Sequence, residues 1–469
     1  MTLKYRTVLF FMLILHCSCV LGRRQGDPDE WACGNECSLS IAETIPDGMT
    51  PSTFSTTFQS WSDLITLATE TIEIASYYWT LRDYDTPNHP HPTSNQGDEI
   101  LDGLLAAARN GIQIRIVKHI DTDSFPNVDI GELQAVGADV RDVNFTRLLN
   151  AGILHTKMWV VDRKHVYLGS SNLDWRALTQ VKELGLVAKN CPCIARDMAK
   201  TFDVYWELGT EVAQIPEEWP VEYESPFNED VPVSVTSDGI SYSAFVSSAP
   251  PELCPNGRTT DLDAIFHVMD DAKKFIHIAV MDYFPLIMFD PPLRYWGDLD
   301  NTLRNAALRG VSVKLLMAKW SNTRSSAHAF LSSLRSMTEA YDNVDIQVKM
   351  YVVPADEDQA LIPFSRVNHN KYVVTDVSTH IGTSNWSGDY FIASGGVGFV
   401  AKPANRTGGE GADLRMQVAS VFERDWNSEY SLTLEEVFPD EYPTPLKCTA
   451  SSNAISSAIS FMFLVHAMY

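Results

Sequence analysis

Positive charge is what this 469-residue chain has least of relative to need: 36 Lys and Arg stand against 60 Asp and Glu, a formal net charge of −24. Such a surface repels a long polyanion at neutral pH and excludes broad, non-specific duplex binding. Long apolar runs are also missing. The run from Val8 to Leu21, after Lys4 and Arg6, is too short to span a bilayer comfortably, and small residues at Val20-Leu-Gly22 suit cleavage. Residues 1–22 therefore read as a signal peptide, with a signal anchor as the alternative, and the body of the chain as lumenal or secreted. No carboxylate cluster of the two-metal kind is apparent, and no lipid-targeting module is visible. A second apolar stretch, Ala454 to Tyr469, within a tail at 449–469, hints at a lipid-anchor signal but lacks the polar spacer.

Cysteine is sparse. Beyond Cys17 and Cys19 in the leader there remain Cys33, Cys37, Cys191, Cys193, Cys254 and Cys448. Zinc ligation by the C-x₃-C and C-x-C pairs is the lesser reading, because an even number in an oxidising compartment favours disulfides. The expected pairs are Cys33–Cys193 and Cys37–Cys191, pinning an N-terminal arm to the first domain; parity then couples Cys254 with Cys448. Asn144-Phe-Thr and Asn405-Arg-Thr are glycosylation sequons, whereas Asn385-Trp-Ser is expected to stay bare. His89-Pro-His91-Pro reads as a solvated loop.

What the chain does have is a repeat. His155-Thr-Lys157-Met-Trp-Val-Val-Asp162 returns as His369-Asn-Lys371-Tyr-Val-Val-Thr-Asp376, and each copy runs on into a Gly-[Ser/Thr]-Ser-Asn turn, Gly169 to Asn172 and Gly382 to Asn385. The β-branched and aromatic segments Leu154–Val161 and Val367–Val374 read as buried strands, on which His155 and Lys157, like His369 and Lys371, share a face. Asp162 and Asp376 close the motif on the opposite parity and read as residues that fix a turn or a nearby ion pair. The repeat extends outward. The strand Glu73 to Trp79 matches Ile276 to Asp282, and helices Leu101–Arg109 and Leu299–Arg309 each end at a glycine, Gly111 and Gly310. After the turns, Leu184–Ala188 matches Val397–Ala401, and helices ending at Trp206 and Trp426 close the halves.

Alternating strands and helices predict an α/β fold of two similar fused domains, with a pseudo-twofold axis and the active site at the domain interface. The expected division is 33–215 for the first domain, 216–250 for a proline- and acid-rich linker and 251–448 for the second domain. Two histidines, two lysines and two asparagines would then surround one phosphate. One histidine is a competent nucleophile toward phosphorus and the other can protonate the leaving oxygen. The lysines and asparagines neutralise the non-bridging oxygens, so neither a metal nor another cofactor is needed. The aromatics of Tyr77-Tyr78-Trp79 and of the Phe284 to Phe289 loop offer base-stacking surfaces, with core packing the plainer reading of the tyrosines.

The two H-x-K-x₄-D motifs with their Gly-x-Ser-Asn turns, together with Thr179-Gln-Val-Lys-Glu-Leu-Gly185, resemble the phospholipase D superfamily, most closely its lysosomal branch known as phospholipase D three and four. The resemblance covers about Cys33 to Cys448. It implies cleavage of single-stranded DNA and RNA from the 5′ end through a phosphohistidine, with action on phospholipids as the alternative and an inactive binding glycoprotein as the lesser one. It implies His155 as nucleophile, His369 as acid and then base, and Lys157, Lys371, Asn172 and Asn385 around the phosphate. Glu183 stands where the superfamily often has a histidine-orienting carboxylate, although Gly396 occupies the matching place in the second half. Phe289 lies in the loop where a base-stacking aromatic is expected. Endolysosomal or secreted localisation follows, and the reading allows membrane attachment and a homodimer.

Overall fold

The computed structural model describes residues 31–34, 36–86, 91–122, 127–404 and 412–441. The leader at 1–22, the tail at 449–469, Asn405 and Cys448 lie outside the described residues, so the expectations placed on them have no structural counterpart here.

The first half is built on seven strands: β1 (Ser38–Thr44), β2 (Thr71–Ser76), β3 (Gln113–His119), β4 (Asp139–Val143), β5 (Met158–Val161), β6 (His165–Gly169) and β7 (Glu183–Lys189). Their order across the sheet is β1-β7-β6-β5-β2-β3-β4, with β2, β3 and β4 parallel and the rest antiparallel. Helices α1 (Thr57–Leu67) and α2 (Asn95–Arg109) cover one face, and α3 (Pro192–Leu208) covers the other. The helix α2 stops as its sequence requires: Gly111 takes φ +93°, a conformation that side-chain-bearing residues avoid.

The second sheet has ten strands. Nine run in the path β8 (Val233–Ser237), β9 (Ile240–Ala249), β15 (Gly396–Pro403), β14 (Thr379–Gly382), β13 (Lys371–Thr375), β10 (Phe275–Val280), β11 (Ser312–Lys319), β12 (Ile346–Val352) and β16 (Ser431–Leu432), and a two-residue strand Thr259–Thr260 flanks β9. The six-strand centre of each sheet has the same order and polarity, which is the repeat in three dimensions. Helices α4 (Asp261–Asp271), α5 (Asp298–Leu308) and α6 (Ala327–Ala340) line the outer face, and α7 (Leu414–Trp426) faces inward.

One apolar cluster joins the halves. It takes Met158, Val160 and Leu186 from the first sheet, Tyr372, Val374 and Phe399 from the second, and Met198, Phe202, Val418 and Phe422 from α3 and α7. Each large apolar side chain buried this way contributes roughly 1.5–3 kcal/mol. The shared core therefore holds the halves in register, and the pocket between them inherits that rigidity.

Two expectations need correction. The linker expected at 216–250 is shorter, because residues 233–249 form β8 and β9; their alternating Val-Ser-Val-Thr-Ser and Tyr-Ser-Ala-Phe-Val patterns pair around the tight turn at Asp238-Gly239. The motif strands begin later than expected, at Met158 and Lys371 rather than Leu154 and Val367. The residues ahead of them leave their own sheet to pair with the opposite half. Leu154 bridges Gly395 and Asn368 bridges Lys182, in symmetry-related positions.

Cys33 bonds Cys193 and Cys37 bonds Cys191, fastening the segment before β1 to the start of α3. Disulfides of this kind place the chain in the secretory pathway. Cys254 forms no disulfide among the described residues. The side chain of Asn144 caps the short helix Phe145–Leu149, accepting from Arg147 N at 2.9 Å. Among the described residues no helix is long and apolar enough to cross a membrane.

Candidate active site

A cavity of about 470 Å³ opens where the halves meet, and its wall includes His155 and Asn172 from the first half and His369 and Asn385 from the second. The crossing segments put them there. His155 N donates to the Gly395 carbonyl at 2.9 Å, and His369 N donates to the Lys182 carbonyl at 2.8 Å, so each motif segment is hydrogen-bonded into the other domain. Backbones approach closely at this seam. A Cβ on Gly152, at φ +87°, would lie 2.0 Å from the Ala393 oxygen, which only glycine avoids.

The lysines sit behind the pocket wall, both buried. Lys157 Nζ donates to the carbonyl of His155 at 2.6 Å, and Lys371 Nζ donates to the carbonyl of His369 at 2.7 Å. Each ammonium keeps further N–H groups for another acceptor. The asparagines are held alike but by non-equivalent tyrosines: Asn172 Nδ2 donates to Tyr78 Oη at 3.3 Å, and Asn385 Nδ2 donates to Tyr390 Oη at 3.2 Å. Both Oδ1 atoms are buried without a partner among the described residues.

The two histidines differ in what holds their rings. His369 Nδ1 lies 3.0 Å from each oxygen of Glu183, a carboxylate of the first half. His155 Nδ1 lies 2.8 Å from the Thr383 carbonyl, in the glycine turn of the second half. No carboxylate substitutes for Glu183 on that side, because a Cβ at Gly396 would already lie 2.4 Å from Ser384 Oγ.

Burial among like charges shapes the protonation of all four bases. The His155 imidazole is held well below its usual range by desolvation, then by Lys157, Lys371 and His369. His369 is lowered by desolvation too, with Glu183 opposing. Desolvation and Lys371 hold Lys157 well below an ordinary lysine, and desolvation brings Lys371 down to about 7 against the pull of Glu183 and Asp282. A cluster of bases that disfavour one another's protons is a site for an anion, whose charge supplies what the protein withholds.

Asp162 and Asp376, grouped above with the catalytic motif, are not in the pocket. Asp162 accepts from Thr69 N and Oγ1, Glu70 N and Thr71 N at 2.6–2.8 Å, and Asp376 accepts from Lys273 N and Lys274 N at 2.9 Å. Each ties the far end of the motif strand to the loop entering β2 or β10. The aromatics divide as well. Trp79 is core, Tyr78 lines the cavity while donating to Asp174 Oδ2 at 2.8 Å, and Tyr77 lines it with the Lys157 ammonium 5.6 Å from its ring centroid. Phe284 is buried, whereas Phe289 lines the cavity at 55% exposure, its loop fastened by Asp389 Oδ1 accepting from Phe289 N at 2.8 Å. Tyr390, Asp282, Trp320, Phe364 and the Thr383 carbonyl line or shape the site without a signal in the sequence pattern. Of these, Thr383 lies within the Gly382–Asn385 turn, Asp282 ends the duplicated strand and Tyr390 follows Asn385 by five residues, so these three lay near enough to a motif to be suspected.

Fold and site together define a two-domain α/β protein of the phospholipase D superfamily. The architecture is that of a phosphatidylserine synthase from Haemophilus influenzae, with a TM-score of 0.50 at 14% identity, covering 80% of this chain and 85% of that one. The family model described as "PLD3/4, PLD-like domain" matches residues 49–356. The chain is 46% identical over 406 residues to the 5′-3′ exonuclease PLD3 of Xenopus laevis and 45% identical over 408 residues to that of Homo sapiens, in both cases across 86% of this chain and 82% of the relative. It is 40% identical to the 5′-3′ exonuclease PLD4 of Mus musculus, across 89% of this chain and 83% of that one. The chain belongs to the PLD3/4 family.

Proposed function

We propose that the protein is a 5′-3′ exonuclease on single-stranded DNA and RNA, working through a phosphohistidine in an acidic endolysosomal or secreted lumen. The observation that carries the chemistry is the unequal holding of two histidines that line one cavity. The Thr383 carbonyl can only accept, so it takes the Nδ1 proton of His155 and leaves Nε2 with its lone pair. His155, held neutral, is the nucleophile. Glu183 favours the protonated ring of His369, which makes that residue the acid.

His155 Nε2 forms a bond to phosphorus as the P–O bond to the leaving group breaks, and His369 delivers a proton to the departing oxygen. His369 then takes a proton from water as the water oxygen bonds phosphorus and the P–N bond breaks. Lys157, Lys371, Asn172 and Asn385 stabilise the charge gathering on the non-bridging oxygens. A strand end entering a small base-lined pocket escapes most of the repulsion that the −24 net charge imposes on a duplex. Phe289 and Tyr77 supply ring faces for a terminal base.

Phospholipid is the second substrate class, favoured by the apolar side of the pocket, where Val181, Met281, Trp320, Phe364 and Val367 gather. A single-stranded oligonucleotide and phosphatidylcholine or phosphatidylglycerol vesicles, offered separately at pH about 5 with chelator present, decide between them. Oligonucleotide shortening from the 5′ end that is lost in His155→Ala and His369→Ala is the expected result. Turnover of the vesicle lipid alone would replace the first reading with the second.

A further inference from the structure

Behind His369 lies a second charged cluster that makes no contact with the cavity. Lys182 is 0% exposed, and its Nζ stands 2.8 Å from Glu43 Oε1 and 3.0 Å from Asp425 Oδ2. Glu43 belongs to β1 of the first half and Asp425 to α7 of the second. Arg424 adds two contacts to Glu43 and two to Asp425, and Ser52 Oγ donates to Glu43 Oε2 at 2.6 Å. The Tyr351 ring lies 6.0 Å from the ammonium. One lysine is thus held by a carboxylate from each domain.

The backbone of that lysine is the one that carries His369. Lys182 N donates to the Val367 carbonyl at 2.9 Å, and the Lys182 carbonyl accepts from His369 N at 2.8 Å. The next residue, Glu183, steers the His369 ring. We propose that Lys182 is a positioning residue for His369, its buried ammonium clamped between Glu43 and Asp425 so that its own main chain and Glu183 hold the imidazole in place. The half-turn asymmetry of the molecule supports this assignment. The position matching Lys182 is Gly395, which has no side chain, and the ring of His155 is held by a carbonyl that needs no clamp.

Removing Lys182 alone leaves two buried carboxylates with one cation and threatens folding. The test therefore uses Lys182→Met with Asp425→Asn, which leaves Glu43 paired with Arg424 and the cluster neutral. The titratable groups facing His369 are Glu183, Lys371, Lys157 and His155, and the variant leaves all four in the sequence. A reacting group displaced by about 1 Å loses on the order of a hundredfold in rate. The expected result is a kcat reduced roughly tenfold to a hundredfold with KM little changed, and a His369 ring titration, followed by NMR, displaced to lower pH as Glu183 swings away.

Wild-type kcat and an unmoved His369 titration in the folded variant overturn the proposal. Should the double variant fail to fold, Asp425→Asn alone, which leaves Lys182 on Glu43, is measured the same way, and wild-type values there also overturn it. The kinetic arm rests on His369 acting as the acid. His369→Ala tests that role separately, and the NMR titration decides the clamp whether or not the role survives.

Discussion

The Glu183 carboxylate reaches across the boundary between the halves to Nδ1 of His369, 3.0 Å away, whereas Nδ1 of His155 meets the Thr383 carbonyl and, among the described residues, no carboxylate. Glu183→Gln removes the one carboxylate that raises the His369 pKa against burial. In the proposed mechanism His369 donates its proton in the first step, so activity should be lost as pH rises through its pKa. The alkaline limb of the pH–rate profile should move to lower pH in the variant, with kcat down by roughly 10²-fold. An unmoved alkaline limb would remove Glu183 from the mechanism.

The two histidines should fail in different ways. His155→Ala loses the nucleophile and with it turnover of every substrate, by roughly 10³-fold or more. His369→Ala loses an acid, so a diester with a good leaving group such as p-nitrophenolate should still give a first-step burst and accumulate phosphohistidine. A burst in His155→Ala and none in His369→Ala would exchange the two roles.

Tyr390 sets the side chain of Asn385. Its hydroxyl lies 3.2 Å from Asn385 Nδ2, and the buried Oδ1 has no partner among the described residues. Tyr390→Phe should lower kcat by about fivefold, in proportion to the loss of about one hydrogen bond, ~1 kcal/mol. Combined with Asn385→Ala, the two effects should be strongly non-additive, because both act on the same oxygen of the phosphate. Full additivity would separate them.

Lys371, brought down to about 7 by burial, carries its charge below that pH and loses it above. Competitive inhibition by inorganic phosphate should therefore be tight at pH 5 to 6 and weaken as pH passes about 7. Lys371→Met should flatten that pH dependence around pH 7 and raise the inhibition constant throughout. Constant inhibition from pH 5 to 9 would contradict the site's electrostatics.

Asp162 is a stability residue by its contacts. Its carboxylate is held below the ordinary range by hydrogen bonds from Thr69, Thr71 and Glu70, which outweigh burial. A depressed carboxylate stabilises the fold above its unfolded pKa and loses that contribution as pH falls through the folded pKa. Asp162→Asn should lower Tm at pH 7, by about 1–3 kcal/mol of folding free energy, and lower it less at pH 3. The kcat at a temperature where both proteins are folded should stay within about twofold, and a large fall in kcat would return Asp162 to the active site.

The elements that sequence periodicity displays came out of the residues directly. Both motif strands, both glycine-stopped helices and the duplicate strand order follow from side-chain alternation and from φ preferences, which are local properties. The disulfides Cys33–Cys193 and Cys37–Cys191 were expected and are found, although spacing and parity do not by themselves choose among the fifteen pairings of six cysteines. Strands β8 and β9 were hidden by the prolines and acids around them, although their own alternation was visible. The start of the motif strands was overestimated because Leu154–Lys157 and Val367–Asn370 are extended in either case, and periodicity does not say which sheet an extended segment joins.

The residues alone determined that two H-x-K motifs exist, that they are copies, and that their chemistry suits a phosphodiester. The tertiary structure decided which partner each imidazole has. Thr383 acts through a carbonyl that every residue possesses, Glu183 acts on the half it does not belong to, and Tyr78 and Tyr390 hold matching asparagines from positions that do not match. A repeat in sequence records the similarity of its halves. The differences between the two imidazoles arise from contacts across the seam, and such contacts exist only once the chain has folded.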